Sequence, residues 1–138
     1  MIFYSGWIVL RRNYLDDDDL LDLEQETRAE HEMLHKIEQL VQPLRQYNIV
    51  CDIRHLKWSR VLYIISEFNH DIGYRDQVVS LFEEVGIHAK GSYGLLYIWG
   101  DEPDPALDNE FEVYRLAKGK LERYKDQLLS PRNPVIEE

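Results

Sequence analysis

The chain has 138 residues, of which 44% are hydrophobic and few are glycine or proline, and this composition excludes a disordered or fibrous protein. The length suffices for a single core, and without internal repeats or a linker we predict a single domain over residues 1–138. The 26 acidic and 16 basic residues give a formal charge of −10, which argues against direct binding of nucleic acid and favours a basic protein as partner.

The chain begins with a predicted strand and a long predicted helix. Residues 2–10 are rich in β-branched and aromatic types and are apolar on both faces, as in an interior strand. Over residues 23–44 the apolar side chains recur with a period near 3.6, which predicts an amphipathic helix that Pro43 ends or kinks. Asp19 and Asp22, three residues apart, resemble a capping pair at the start of this helix.

The rest of the chain predicts four strands and one shorter helix. Residues 48–56 and 60–68 read as two strands joined by a tight hairpin. The shorter helix follows and is predicted to end at Gly86, a residue suited to a left-handed C-cap. Residues 93–99 and 111–116 then predict two further strands, linked by an acidic loop that contains proline.

These elements predict an α+β fold in the order β-α-β-β-α-β-β, followed by a C-terminal tail. We expect a two-layer sandwich in which two helices cover one face of a mainly antiparallel sheet. Trp7, Trp58 and Trp99 are expected in the core or on the sheet face rather than as anchors for a partner.

Cysteine content and the N-terminus bear on the compartment. The one cysteine, Cys51, cannot form an intramolecular disulfide, so nothing requires an oxidising environment. The N-terminal apolar run reaches Arg11 and Arg12 too soon for a signal peptide or a membrane span. We therefore expect a cytoplasmic protein that does not contact a membrane.

The negative charge is concentrated in two stretches of the chain. Residues 16–38 and 101–112 together carry −14, so the remainder carries +4. Neither stretch has the alternating acids, central glycine and final glutamate of a calcium-binding EF-hand. Two interpretations of these acidic stretches stay open. In the first, the acids cap a helix and lie in solvated loops; in the second, they form a surface that binds a basic partner. The candidate partner-binding residues are Asp16, Asp17, Asp18, Asp19, Asp22, Glu24, Glu26, Asp101, Glu102, Asp104 and Asp108.

One short motif points instead to an enzyme. Residues 31–35 read HEMLH, which matches the zinc-peptidase pattern of two histidines one turn apart with a glutamate as general base. On a helical wheel, however, His31 and His35 flank the apolar stripe, Glu32 faces solvent, and no motif supplies a third ligand. We therefore expect no metal, no cofactor and no catalytic residues, and keep a small zinc-dependent hydrolase as the alternative function.

Other catalytic signatures are missing from the sequence. It contains no Gly-x-Ser-x-Gly elbow and no phosphate-binding glycine loop. Residues 91–94, GSYG, precede a predicted strand rather than a helix, so they lack the amide-lined helix N-terminus that holds phosphate. Turn or bulge geometry is the better interpretation of these glycines.

Several motifs, in order along most of the chain, resemble the immunity protein 7 family. The resemblance is strongest from residue 91 onward and is more specific than the five-residue histidine pattern. It is carried by GSYGLLYI (91–98), NEFEVYRLAKGKL (109–121), LSP (129–131), Pro134, Ile136-Glu137, Gly6-Trp7 and Asn69-His70.

This resemblance implies a bacterial immunity protein that is encoded beside a polymorphic or contact-dependent toxin and binds the toxin's C-terminal effector domain. The acidic helix would then select the partner. Many such effectors are nucleases, which need basic groups to hold phosphate, so a charge of −10 favours a nuclease toxin as the partner. We expect a non-enzymatic inhibitor that covers the toxin's active site or substrate groove, with a structural or scaffolding module as a third alternative.

Overall fold

The computed structural model describes residues 1–13, 22–69, 73–100 and 110–136. In that part of the chain the elements follow in the order β1 (Ile2–Leu10), α1 (Leu23–Arg45), β2 (Val50–His55), β3 (Arg60–Phe68), α2 (Tyr74–His88), β4 (Tyr93–Gly100), β5 (Glu112–Ala117), β6 (Lys120–Lys125) and α3 (Arg132–Val135).

The strands form one antiparallel sheet in the spatial order β2-β3-β1-β4-β5-β6. The first six elements have the β-α-β-β-α-β order of ferredoxin-like folds, with β1 between β3 and β4, and the β5–β6 hairpin extends the sheet past β4. The predicted α+β class and antiparallel sheet are confirmed.

The two faces and the two ends of the sheet differ in their surroundings. On the helix face, α1 and α2 bury the alternate side chains of β1, such as Tyr4 and Ile8, in the core. The opposite face is the open face. The Trp58 end is where β1 pairs through Leu10 with Arg60, and the Trp99 end is where β1 pairs through Ile2 with Gly100.

The predicted order β-α-β-β-α-β-β with two helices is incomplete at its C-terminal end, because β6 and the one-turn helix α3 lie where a tail was expected. Lys118 and Gly119 have positive φ values of 53° and 73°, which is the geometry of a two-residue hairpin turn. β6 is mostly exposed and rich in charged residues, so it lacks the apolar alternation that marks a buried strand. The Lys118-Gly119 pair was the sequence signal for the β5–β6 hairpin.

Helix α1 begins at the second residue of the predicted capping pair. Asp22 is the N-cap: its carboxylate accepts a hydrogen bond from the Gln25 amide at 2.7 Å, and the Gln25 side chain accepts one from the Asp22 amide in return. Asp19 lies outside the described residues. Pro43 lies inside the helix, which ends two residues later at Arg45. No helix in the described ranges is both long and apolar enough to cross a bilayer.

Helix α2 does not end at Gly86, as predicted, but continues to His88. Gly86 is buried, and a Cβ atom added there would lie 2.9 Å from Cδ1 of Leu116 on β5. The glycine therefore serves close packing of α2 on the β5–β6 hairpin rather than a left-handed cap.

Candidate partner-binding surfaces

The open face of the sheet is unusually apolar. A half-exposed antiparallel sheet normally places polar side chains on its solvent side. Here β1, β3 and β4 point mostly apolar residues away from the helices, with aromatic rings on neighbouring strands in edge-to-face contact, as between Trp7 and Tyr93 at 6.2 Å. The side chains that remain 40 to 53% exposed on this face are Trp7, Val50, Ile65, Tyr93 and Tyr124.

The segment after β6 folds back over the Trp99 end of this face. The Arg132 guanidinium carbon lies 3.7 Å from the centroid of the Trp99 ring, a cation–π contact. Ser130 holds the segment in place, because its hydroxyl accepts a hydrogen bond from the Phe111 amide at 2.7 Å and donates one to buried Asp126 at 3.0 Å. The LSP motif thus closes one end of the face.

The GSYG motif fixes the junction of β1 and β4. The Gly91 amide donates to the Arg11 carbonyl at 3.1 Å, and the buried Ser92 hydroxyl accepts from the Arg11 amide at 3.0 Å. A Cβ at Gly91 would overlap the backbone of Asn13, and one at Gly94 would overlap that of Trp7. Gly91 lies in a turn that the Ser92 amide closes by donating to the Ala89 carbonyl at 2.9 Å, so turn geometry is confirmed there, whereas close backbone approach explains Gly94 within β4.

Three of the sequence-predicted partner-binding residues lie on the first turn of α1. Asp22, Glu24 and Glu26 are all exposed. Glu30, one turn later, lies at the Trp58 end, where its carboxylate pairs with Arg60 at 3.0 Å. The other predicted residues lie outside the described part of the chain: Asp16, Asp17, Asp18, Asp19, Asp101, Glu102, Asp104 and Asp108.

The described part of the chain is almost neutral. Eleven of the 26 acidic residues and none of the 16 basic residues fall at positions 14–21, 70–72, 101–109 and 137–138. The first of these segments follows Asn13, which adjoins Gly91 at the Trp58 end. Segment 101–109 follows Gly100 at the Trp99 end. The two acidic segments are therefore attached to opposite ends of the sheet.

Trp58 lies neither in the core nor on the sheet face, so that prediction is wrong for this residue. It sits in the turn between β2 and β3 and is 87% exposed, with the Lys57 ammonium 5.3 Å from its ring centroid. Nearby, a cavity of about 560 Å³ has charged lining residues that include Arg11, Arg60 and Glu26. The predicted strand bounds of 48–56 and 60–68 already place Trp58 in the turn between the strands, and this position was the sequence signal for its exposure.

A buried ion-pair cluster joins α2 to the edge hairpin on the helix face. The Glu112 side chain is 1% exposed, and its carboxylate accepts hydrogen bonds from Arg75 and from the Tyr114 hydroxyl and pairs with Arg123 at 3.2 Å. Burial, followed by the hydrogen bond to Glu112, raises the pKa of Tyr114 to about 12. These contacts fix β5 and β6 against α2.

The histidines of the zinc-like motif lie on the exposed side of α1. His31, Glu32 and His35 are all exposed, and the nearest polar contact of His35 is the Gln39 side chain at 3.2 Å. Among the described residues, no group of three or more His, Cys, Asp or Glu is placed to hold a metal ion. Nothing in the described chain supports the zinc hydrolase alternative.

Cys51 is expected to be inert toward thiol reagents in the folded protein. Burial raises the pKa of its thiol to about 12, so the reactive thiolate is scarce at neutral pH. At pH 8 we expect the reaction with an aromatic disulfide reagent to be about 1000-fold slower than in the denatured chain, as followed by absorbance. A native rate within about tenfold of the denatured rate would contradict this.

Comparison with known proteins identifies the family. The family model for immunity protein 7 matches residues 1–138, the whole chain. No curated protein and no solved structure gives a significant match. The family match agrees with the motifs at residues 91–98 and 129–131, which build the β1–β4 junction and the C-terminal segment. The chain therefore belongs to the immunity protein 7 family.

Proposed function

We propose that the protein is a non-catalytic inhibitor that binds a cognate bacterial toxin domain and covers its active site or substrate groove. The observation that carries this proposal is the family match over all 138 residues, since an immunity protein acts against a toxin. We further propose that the toxin belongs to a polymorphic or contact-dependent system and that neutralisation takes place in the cytoplasm.

Charge supports a basic toxin domain, and a nuclease in particular. The chain carries −10, and a domain that holds the phosphates of nucleic acid presents the opposite charge. Attraction between such surfaces speeds encounter, whereas buried apolar contacts slow dissociation. The inhibitor itself has no need to bind nucleic acid in this scheme.

The acidic residues of the two acidic stretches, 16–38 and 101–112, are the proposed source of this attraction. Asp22, Glu24 and Glu26 support it, because they are exposed on α1, where Glu24 makes a solvent-exposed pair with Arg28 at 3.5 Å. The proposed set includes the other candidate acids of these stretches: Asp16, Asp17, Asp18, Asp19, Asp101, Glu102, Asp104 and Asp108.

Reversing the charge of residues 16–19 tests this assignment. With Asp16, Asp17, Asp18 and Asp19 all changed to Lys, we expect affinity for the toxin domain at low salt to fall by about tenfold or more, with a smaller loss at high salt. Calorimetric titration of the two purified proteins measures the change, and growth of cells that co-express toxin and variant reports the loss of protection.

A control with the same change in net charge separates local from global effects. Lysine substitutions at Glu32, Asp76, Glu83 and Glu84, on the outer sides of α1 and α2, also raise the net charge by eight. We expect this control to weaken binding by less than about threefold. Equal losses in both variants, or no loss in either, would contradict a local contact at residues 16–19.

A further inference from the structure

We propose that the turn between β2 and β3 enters the substrate groove of the toxin domain, with Trp58 as the apolar anchor and with Arg54 and Lys57 against carboxylates of that groove. This inference rests on the proposed function, and it specifies which part of the protein occludes the toxin. The partner it requires is a nuclease groove that combines acidic side chains with a pocket for an aromatic ring.

The first observation is the exposure of Trp58. At 87% it is the most exposed large hydrophobic side chain in the described part of the chain, and Leu56 beside it is 59% exposed. The Lys57 ammonium, 5.3 Å from the Trp58 ring centroid, belongs to the same turn. Trp58 therefore contributes little to the packed core, whereas tryptophan is enriched among the residues that dominate binding energy at protein interfaces.

The second observation is that the turn is held in place. The Leu56 amide donates a hydrogen bond to the Ser59 carbonyl at 2.7 Å, which closes a two-residue turn. The two strands that flank it pair in register, and Arg60 at the start of β3 pairs with Glu30 on α1 at 3.0 Å. A preorganised turn presents its indole ring with little loss of conformational entropy on binding.

The third observation is the local charge of the turn. Residues 53–60 contain three basic residues, one histidine and no acidic residue, although the whole chain carries −10. Arg54 and Lys57 are exposed, whereas Arg60 is paired with Glu30. The helices have the opposite balance, since α1 and α2 together hold eight acidic and four basic residues. The turn is thus a basic, aromatic segment of an acidic protein.

The groove of a metal-dependent nuclease has the complementary pattern. Its basic side chains hold the phosphates of the substrate, and carboxylates at its centre bind magnesium ions that contact the same phosphates. Aromatic rings stack on the bases of single strands, so an indole is able to take the place of a base in such a groove. Arg54 and Lys57 then meet the carboxylates, while exposed acids on α1, such as Glu24 and Glu26, meet the basic rim.

A second copy of the chain is the alternative occupant. Its acidic helices complement the basic turn, but a contact between two different surfaces of one protein repeats from copy to copy and forms rings or open filaments. An inhibitor that acts as one molecule per toxin domain has to leave this turn free. The toxin groove is therefore the occupant that agrees with the proposed function.

Substitutions in the turn and matched controls on the helices test the proposal. In calorimetric titration against the purified toxin domain, we expect Trp58→Ala to weaken binding by about 100-fold and Lys57→Glu by about tenfold. The controls are Ile87→Ala, where Ile87 is 66% exposed on α2, and Lys36→Glu on α1, and we expect each to change affinity by less than about threefold. Because Trp58 is exposed, its removal is expected to leave the urea midpoint unchanged, so a loss of binding reports the contact itself.

Competition with a substrate analogue tests the groove. A single-stranded phosphorothioate oligonucleotide, which the toxin domain does not cleave, is added in large excess before the titration. We expect the apparent affinity of the unsubstituted protein to fall by at least about tenfold, because the oligonucleotide and the turn require the same groove. Unchanged affinity would place the contact outside the groove and overturn the proposal.

Hydroxyl-radical footprinting of the complex gives a measurement that needs no substitution. We expect Trp58 to become protected on toxin binding, while Trp7 on the open face, which is 41% exposed in the free protein, keeps its reactivity. Protection of Trp7 without protection of Trp58 would also overturn the proposal.

Failure of this inference is distinguishable from failure of the proposed function. If the unsubstituted protein binds the toxin domain and protects cells but Trp58→Ala binds equally well, the assignment of the turn is wrong and the function stands. If the unsubstituted protein does not bind the toxin domain, both are wrong. If sedimentation shows a dimer that Trp58→Ala dissociates while toxin affinity is kept, a second copy covers the turn and the proposal is overturned.

Discussion

Replacing Gly94 by alanine is expected to cost about 3–5 kcal/mol of unfolding free energy, a large fraction of the stability of a domain of this size. A Cβ at Gly94 would overlap the Trp7 carbonyl oxygen and lie 2.8 Å from the Ile8 Cα. Both obstacles are backbone atoms of the central strand β1, so the clash cannot be relieved by a side-chain rotation. The β1–β4 pairing must therefore shift or separate.

Gly100, in the same strand, is the matched control for Gly94. A Cβ there would meet Cγ1 of Ile2 and the Met1 carbonyl at 3.4 Å, an ordinary contact distance. We expect Gly100→Ala to change stability by less than about 1 kcal/mol. Urea unfolding of both variants, followed by circular dichroism, gives the comparison. Similar stabilities for the two variants would show that close approach at Gly94 is unimportant.

Replacing Glu112 by alanine is expected to cost about 3–5 kcal/mol, because it removes the buried acceptor that the partly buried Arg75 guanidinium and the Tyr114 hydroxyl share. Arg75 on α2, Tyr114 on β5 and Arg123 on β6 all contact this carboxylate. Removing it leaves the Arg75 guanidinium, which is 24% exposed, in a partly dehydrated site. The β5–β6 hairpin is then expected to loosen from α2, which hydrogen exchange of the β6 amides measures.

Glu122 provides a control of the same type on the open face of β6. Its carboxylate contacts Arg115 and Tyr124, but the side chain is 49% exposed and solvent replaces these contacts easily. We expect Glu122→Ala to leave both the urea midpoint and β6 exchange close to those of the unsubstituted protein. If Glu112→Ala were as stable as Glu122→Ala, the buried cluster would add nothing to the free energy of unfolding.

The strands of the central sheet were predictable from the sequence, because their apolar patterning extends over whole elements. β1 and β3 lie within a residue of their predicted bounds. β6 was missed, since an exposed edge strand has few apolar residues and only its Lys118-Gly119 turn marks it. The end of α2 was misjudged because the close packing of Gly86 on Leu116 depends on tertiary contacts that no local pattern records.

The candidate surface was only partly predictable. A linear sequence shows how many acidic residues there are, but not that segments 14–21 and 101–109 attach to opposite ends of one sheet. The apolar open face was hidden for a similar reason. Residues 2–10 are apolar on both sides, which is also the pattern of a strand buried on both faces. Only the placement of both helices on one side shows that Trp7 and its neighbours remain uncovered.

Titration of purified toxin activity with this protein tests the central claim most directly, because it distinguishes an inhibitor that binds from an enzyme that inactivates. We expect activity of the cognate toxin domain to fall in proportion to added protein and to vanish at one equivalent, with no metal required. Full inactivation by a small fraction of an equivalent would instead indicate catalysis. Undiminished activity at a large excess would contradict an immunity function against that toxin.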